Sequence, residues 1–147
     1  MTRLPAAALA LLTTTLLFSA APALAQDDAE IIERGRALTE AFYAGELDEI
    51  VEAFDAQMRE LLPDVATLDG VRDQILGAFG DEAEVLNEEV NSIPGHHRAY
   101  QRTVRFQNTP EDLMMVVWAF DEEDRISGFS VQPAGNEPTE ADTPHLE

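Results

Sequence analysis

The sequence predicts an α+β fold, with helices in the first half packing on an antiparallel sheet of about four strands formed by the second half. Three observations predict it. Apolar residues recur at a spacing near 3.6 between Ile31 and Phe79. That spacing shortens towards 2 after Gly80. Turn-forming residues then cut the second half into short runs that never return to helical spacing.

The first helix is predicted between Asp27 and Gly45. Asp27-Asp28-Ala29-Glu30 reads as a capping box, Asp27 accepting at the helix start and Glu30 reaching back to it. Ile31, Gly35, Leu38 and Phe42 make the inward stripe, and Gly45 is the stop. A second helix is predicted from Glu46 to Leu62, with Leu47, Ile50, Val51, Phe54, Met58 and Leu61 on one face before Pro63 ends it. A third starts at Thr67 or Asp69 and carries Leu68, Val71, Ile75, Leu76 and Phe79 inward until Gly80. Gly70 and Gly77 weaken it.

The strands follow. Glu84 to Ile93 is the first, and Pro94-Gly95 turns the chain. Tyr100, Arg102, Val104 and Phe106 then alternate with Gln101, Thr103, Arg105 and Gln107, the pattern of a half-buried strand. Asn108 to Asp112 is read as a turn. Leu113 to Phe120 is apolar at every second position on both sides, as a central strand covered on each face would be. Asp121 to Asp124 makes a tight polar hairpin, and Arg125 to Val131 is the last strand.

Two flanking segments stand apart from this domain. Residues 1–25 carry Arg3, an apolar run from Leu4 to Ala20 and the small residues of Ala23-Leu24-Ala25, which together read as a signal peptide cleaved before Gln26. Residues 26–132 are the predicted domain. Residues 133–147 are rich in proline and acid and read as a disordered tail, with His145 inside it. Export places the protein in the periplasm or outside the cell. There is no cysteine, so stability comes from packing, and thiol catalysis and thiolate metal sites are excluded.

The chain has 29 acidic residues against nine basic ones, all arginine, and a formal charge of −20. Loss of Arg3 with the leader makes the charge one unit more negative. Such a surface repels phosphate backbones and anionic lipid, so neither nucleic acid nor membrane is an expected partner. Acid enrichment without lysine is the composition of a salt-adapted protein, whose self-repulsion salt screens.

The stretches "ALTEAFYAGELDEIVEAFDAQMRELLP" and "YQRTVRFQNTPEDLMMVVWAFDEEDRISGFSVQP" carry a resemblance over about residues 31–133. They resemble a bacterial exported domain of unknown function with the cystatin-like, nuclear-transport-factor-two-like cone fold. That domain also occurs fused to α/β-hydrolase or serine-hydrolase modules. The resemblance implies a curved sheet wrapped over helices with a pocket between them. It implies no reaction, because the fold hosts isomerases, dehydratases, binding proteins and dimerisation modules alike.

Candidate chemistry is sparse. His96 and His97 are adjacent, so a strand sends them to opposite faces and they cannot grip one metal together. Both are expected at a solvated strand start. Asp121 to Arg125 lacks the ligand spacing of a calcium loop. Arg102 faces the side of Tyr100, Val104 and Phe106, where two roles fit it. It pairs with a helix carboxylate such as Glu52 or Glu60, or it is a fixed positive group for a carboxylate ligand. Trp118 shares a face with Met114, Val116 and Phe120, as sheet core, as a dimer patch or as the wall of an apolar pocket.

The candidate ligand pocket is therefore Tyr43, Tyr100, Arg102, Trp118 and Phe120, for a small apolar or carboxylate ligand. A cone-fold isomerase needs a carboxylate base in apolar surroundings, and no aspartate or glutamate is expected within an apolar strand face. No catalytic residue, metal ligand or cofactor is assigned. The expected function is an exported, non-catalytic ligand-binding or protein-interaction module, with a homodimer through the sheet as one partner. The alternatives are a small cone-fold enzyme of the isomerase or dehydratase type, and an accessory subunit of an exported hydrolase.

Overall fold

Four helices precede four strands in the computed structural model, which describes residues 21–135. The leader up to Ala20, and the tail from Asn136 with His145, lie outside the described residues. Helix α1 runs from Ala21 to Ala44, so Asp27 lies within it and the expected capping box does not start it. Its C-terminal end is closed as the glycine predicts: Gly45 takes φ 79°. The Arg72 guanidinium adds two hydrogen bonds to the Tyr43 carbonyl, at 3.1 and 3.3 Å, which occupy a carbonyl the helix leaves free.

The expected second helix is two short ones, α2 (Asp48–Glu52) and α3 (Ala56–Leu61). Between them Phe54 forms a parallel bridge with Ile126 of the last strand. The Ile126 N–H donates to the Ala53 carbonyl and the Asp55 N–H to the Ile126 carbonyl, each at 2.9 Å. Those sheet-type bonds take the place of helical ones. Asp55 then caps α3, its Oδ1 accepting from the Met58 N–H at 2.7 Å. The break leaves no trace in the apolar spacing, because Ile50, Phe54 and Met58 all stay buried through it.

Helix α4 (Val65–Phe79) starts earlier than expected because Asp64 caps it. Asp64 Oδ1 accepts from the Thr67 N–H at 2.8 Å and the Thr67 hydroxyl at 2.7 Å. These bonds, the hydroxyl first, hold the Asp64 carboxyl below its ordinary range.

Strands β1 (Glu82–Asn91), β2 (Arg98–Phe106), β3 (Thr109–Phe120) and β4 (Ile126–Pro133) form one antiparallel meander in sequence order. The β2–β3 turn is Gln107-Asn108, whose N–H groups donate to the Asp81 and Phe79 carbonyls at 2.9 Å. Residues 109–112, expected as turn, open β3 instead. Between Thr109 and Met114 that strand departs from the β2 register, in the region where Pro110 has no N–H to give a ladder. The β3–β4 hairpin is the expected one: Asp121 Oδ1 accepts from the N–H groups of Glu123 and Arg125.

The helices cover one face of the sheet. Ile31, Phe42, Leu47, Ile50, Phe54, Met58 and Leu68 pack there against Tyr100, Val104, Phe106, Val116, Trp118 and Phe120. On the opposite face Ala99, Val117 and Ala119 are buried beneath Ile93 and Met115, with no helix over them among the described residues. The expectation that β3 is covered on both faces therefore fails towards its start, where Leu113 is 41% exposed.

Candidate functional site

Helix α1 lies directly on the Tyr100 ring, and Gly35 is what lets it. A methyl group at Gly35 would stand 2.2 Å from Tyr100 Cγ. One turn on, the Thr39 hydroxyl donates to the Gly35 carbonyl at 2.7 Å and accepts from Trp118 Nε1–H at 3.0 Å. Trp118 is thus tied to α1 by its only polar atom. Its rings stack on Phe129 at 4.3 Å between centroids and meet Phe42 edge-on at 6.1 Å. Phe120 is covered by the Arg34 guanidinium, 4.5 Å above its ring. Tyr100, Trp118 and Phe120 are all fully buried.

Beside this aromatic core, β1 brings two glutamates inward, against the expectation that no carboxylate would lie within an apolar strand face. Glu82, Val85, Glu88 and Val90 pair in register with Phe106, Val104, Arg102 and Tyr100, which all face the helices. The spacing of those four β1 positions is irregular because register shifts occur at Ala83 and Leu86. A period-2 reading of β1 assigns its faces wrongly for that reason.

Arg102 lies between the two glutamates. Its Nη2 is 2.7 Å from Glu82 Oε2 and its Nη1 is 3.5 Å from Glu88 Oε1. The side chains of Arg102, Glu82 and Glu88 are 15%, 9% and 15% exposed. Its partners are thus strand glutamates, and neither Glu52 nor Glu60 of the helices. Glu88 also accepts from the Tyr100 hydroxyl at 2.5 Å and from Arg36 Nε at 2.9 and 3.0 Å. The Arg36 hydrogen bonds hold the Glu88 carboxyl below its ordinary range, with burial opposing and Tyr100 assisting. Burial and Glu88 push the Tyr100 phenol up to about 12. Burial works against the Arg102 charge, and Tyr100 and Glu82 more than offset it. Tyr43 is raised by burial first and by Glu82 next.

The five candidate pocket residues therefore fall into two groups. Tyr43, Tyr100 and Arg102 converge on Glu82 and Glu88, and Trp118 and Phe120 belong to the aromatic core next to them. Two surface clefts lie elsewhere. One of about 330 Å³ is bounded by Asp27, Glu30 and Arg34 of α1, His97, and Glu122 and Asp124 of the hairpin. The other, about 580 Å³, is bounded by Asp55, Gln57, Asp121, Glu123 and Arg125. Neither is lined by a candidate residue.

The histidines differ from each other. His97 is exposed, as expected, and its N–H donates to the Phe120 carbonyl at 2.9 Å. His96 is half-buried over Gly128, with Nδ1 2.7 Å from the Ser127 hydroxyl. It pins the β1–β2 connection to β4, where the sequence suggested a solvated strand start. Among the described residues no group of three or more histidines, aspartates or glutamates is placed to hold a metal ion.

Chemically the cluster is balanced, two arginines against two glutamates. Glu88 is held ionised, the opposite of a base tuned towards neutrality. Arg36, Thr39, Glu82 and Glu88 escaped the sequence reading, since only β1 register and α1 docking bring them to Arg102 and Trp118. Gly35 did stand in the predicted inward stripe. No family model, curated protein or solved structure matches the chain.

Proposed function

We propose that this chain is an exported, non-catalytic interaction module of the cone fold, which pairs with a second copy of itself through the open face of its sheet. The observation that carries the reading is the absence of charge from the six central positions of that face. Gln101, Val117 and Ser130 stand in one row across β2, β3 and β4, and Thr103, Met115 and Gln132 stand in the next. None of the six is charged, in a chain with 29 acidic residues. The charges of this face lie on and beside the β1 edge, where Glu84 pairs with Arg105 at 3.5 Å. It is the surface on which two strongly acidic copies meet without opposing their carboxylates.

Self-association is favoured over capture of an anionic ligand because Arg102 already has two glutamates. An added carboxylate would have to displace Glu82 or face it, at a large desolvation cost. The export part of the proposal rests on the leader sequence, and the peptide map of exported protein is expected to begin at Gln26.

Light scattering behind size exclusion tests the association. The mature chain is expected to run as a dimer whose affinity rises with salt, as screening relieves the repulsion between copies. Thr103→Asp should give a folded monomer whose melting temperature, unlike that of the wild type, does not rise with protein concentration, and Asp73→Asn on α4 should leave the dimer intact. A wild type that stays monomeric at high protein and salt concentration refutes the reading.

A further inference from the structure

The open face of the sheet is uneven from side to side. Its β1 side carries Glu84, Asn87, Glu89 and Asn91. The Asn91 amide donates to Glu89 at 3.0 Å and to Gln101 at 2.9 Å, which holds all three side chains on this face. Its β4 side carries Ser130 and Gln132, with the His96 ring lying over Gly128. Strand β4 has no charged residue from Ile126 to Pro133. Acid therefore runs along one side only, and that limits how two such faces fit together.

Two copies related by a two-fold axis bury the same patch on each side. Sheets packed face to face lie about 10 Å apart, and in an aligned packing the axis runs either across the strands or along them. An axis across the strands lays β1 over β1 and brings the carboxylates of the two copies into one gap. An axis along the strands lays β1 over β4 and β2 over β3. The two β1 edges then stand three strand spacings apart, about 14 Å sideways, which exceeds the screening length of about 8 Å at physiological salt. Given the self-association proposed for this face, we infer that the two-fold axis runs along the strands between β2 and β3, so that the acidic β1 edge of each copy docks on the uncharged β4 of the other. Rotation about that axis leaves height along the strands unchanged. Each row therefore meets the same row of the other copy in reverse order. In one row Glu89 faces Ser130 and Gln101 faces Val117; in the next Asn87 faces Gln132 and Thr103 faces Met115. The Ser130 hydroxyl is a donor for Glu89, and the Asn87 and Gln132 amides pair with each other.

The chain has no cysteine, so single introduced thiols report on this arrangement alone. Asn87→Cys and Gln132→Cys are prepared separately, mixed so that copies exchange, and treated with a short bismaleimide. Covalent dimer on a denaturing gel is expected from the mixture and from neither variant by itself. Covalent dimer from Asn87→Cys alone places β1 over β1 and overturns the inference, while self-association stands. So does a mixture that yields none although light scattering shows it dimeric. A wild type that stays monomeric removes self-association itself, and this orientation with it. A charge test needs no thiol. Ser130→Lys should tighten the dimer by about threefold or more, because its pair with Glu89 is made twice, and adding Glu89→Gln should cancel that gain. Unchanged or weaker association of Ser130→Lys overturns the inference.

Discussion

On the helix-facing side of the sheet the chain buries its charge in pairs, and on the open side the six central positions carry none. The same four strands supply both faces. Arg102 faces the helices between Glu82 and Glu88, and its chain neighbours Gln101 and Thr103 face the other way. The difference teaches where an acidic chain tolerates carboxylates. It tolerates them inside only where an arginine is already fixed, and outside wherever water reaches. The six central positions of the open face have neither condition to meet, because nothing charged is placed at them.

If that contrast is real, substitutions on the two faces must differ most at Arg102. Arg102→Ala leaves Glu82 buried and unpaired and is expected to cost about 3–5 kcal/mol in denaturant unfolding. Adding Glu82→Gln should recover part of that loss. Thr103→Asp, one residue away on the open face, should stay within about 0.5 kcal/mol of wild type when both are measured at protein concentrations too low for the dimer. Equal costs at the two positions would break the comparison.

A smaller effect tests the helix side through its packing. Gly35→Ala drives a methyl group into Tyr100 and should destabilise by about 1–3 kcal/mol, despite the better helix propensity of alanine. Gly77 lies in α4 with open space around it, so Gly77→Ala should stabilise by up to about 1 kcal/mol. Thermal melts of the two variants should move in opposite directions.

The smallest effects are read against pH. Glu88 is lowered from 4.5, so its contribution is present above that value and is lost as pH falls through its folded-state range. Tyr100 gives the opposite limb. Its phenol is raised from 10.0, so its contribution holds below pH 10 and is lost as pH climbs towards 12. Glu88→Gln should flatten the acid limb of a urea midpoint series, and Tyr100→Phe the alkaline one. Each change should also weaken the limb at the other end, because the Tyr100–Glu88 hydrogen bond contributes to both shifts.

Much of this architecture was legible before any coordinates. Helices precede strands, there are four strands, and the inward face of β2 is Tyr100, Arg102, Val104 and Phe106, all as the spacing implies. The hairpin at Asp121 and the stop at Gly45 follow from local turn chemistry. These features depend on residues close together in the chain, and burial free energy imprints a period there that can be counted. What only the tertiary structure decided depends on partners far apart. The helix break at Phe54 is imposed by backbone bonds to Ile126, and the apolar spacing runs through it unchanged. The inward turn of Glu82 and Glu88 comes from two bulges that shift β1 against β2, and it determines which carboxylates reach Arg102. The half-burial of His96 needs Ser127 and Gly128 beneath it. Periodicity reports which side of an element is buried, and it carries no record of which distant group will be waiting there.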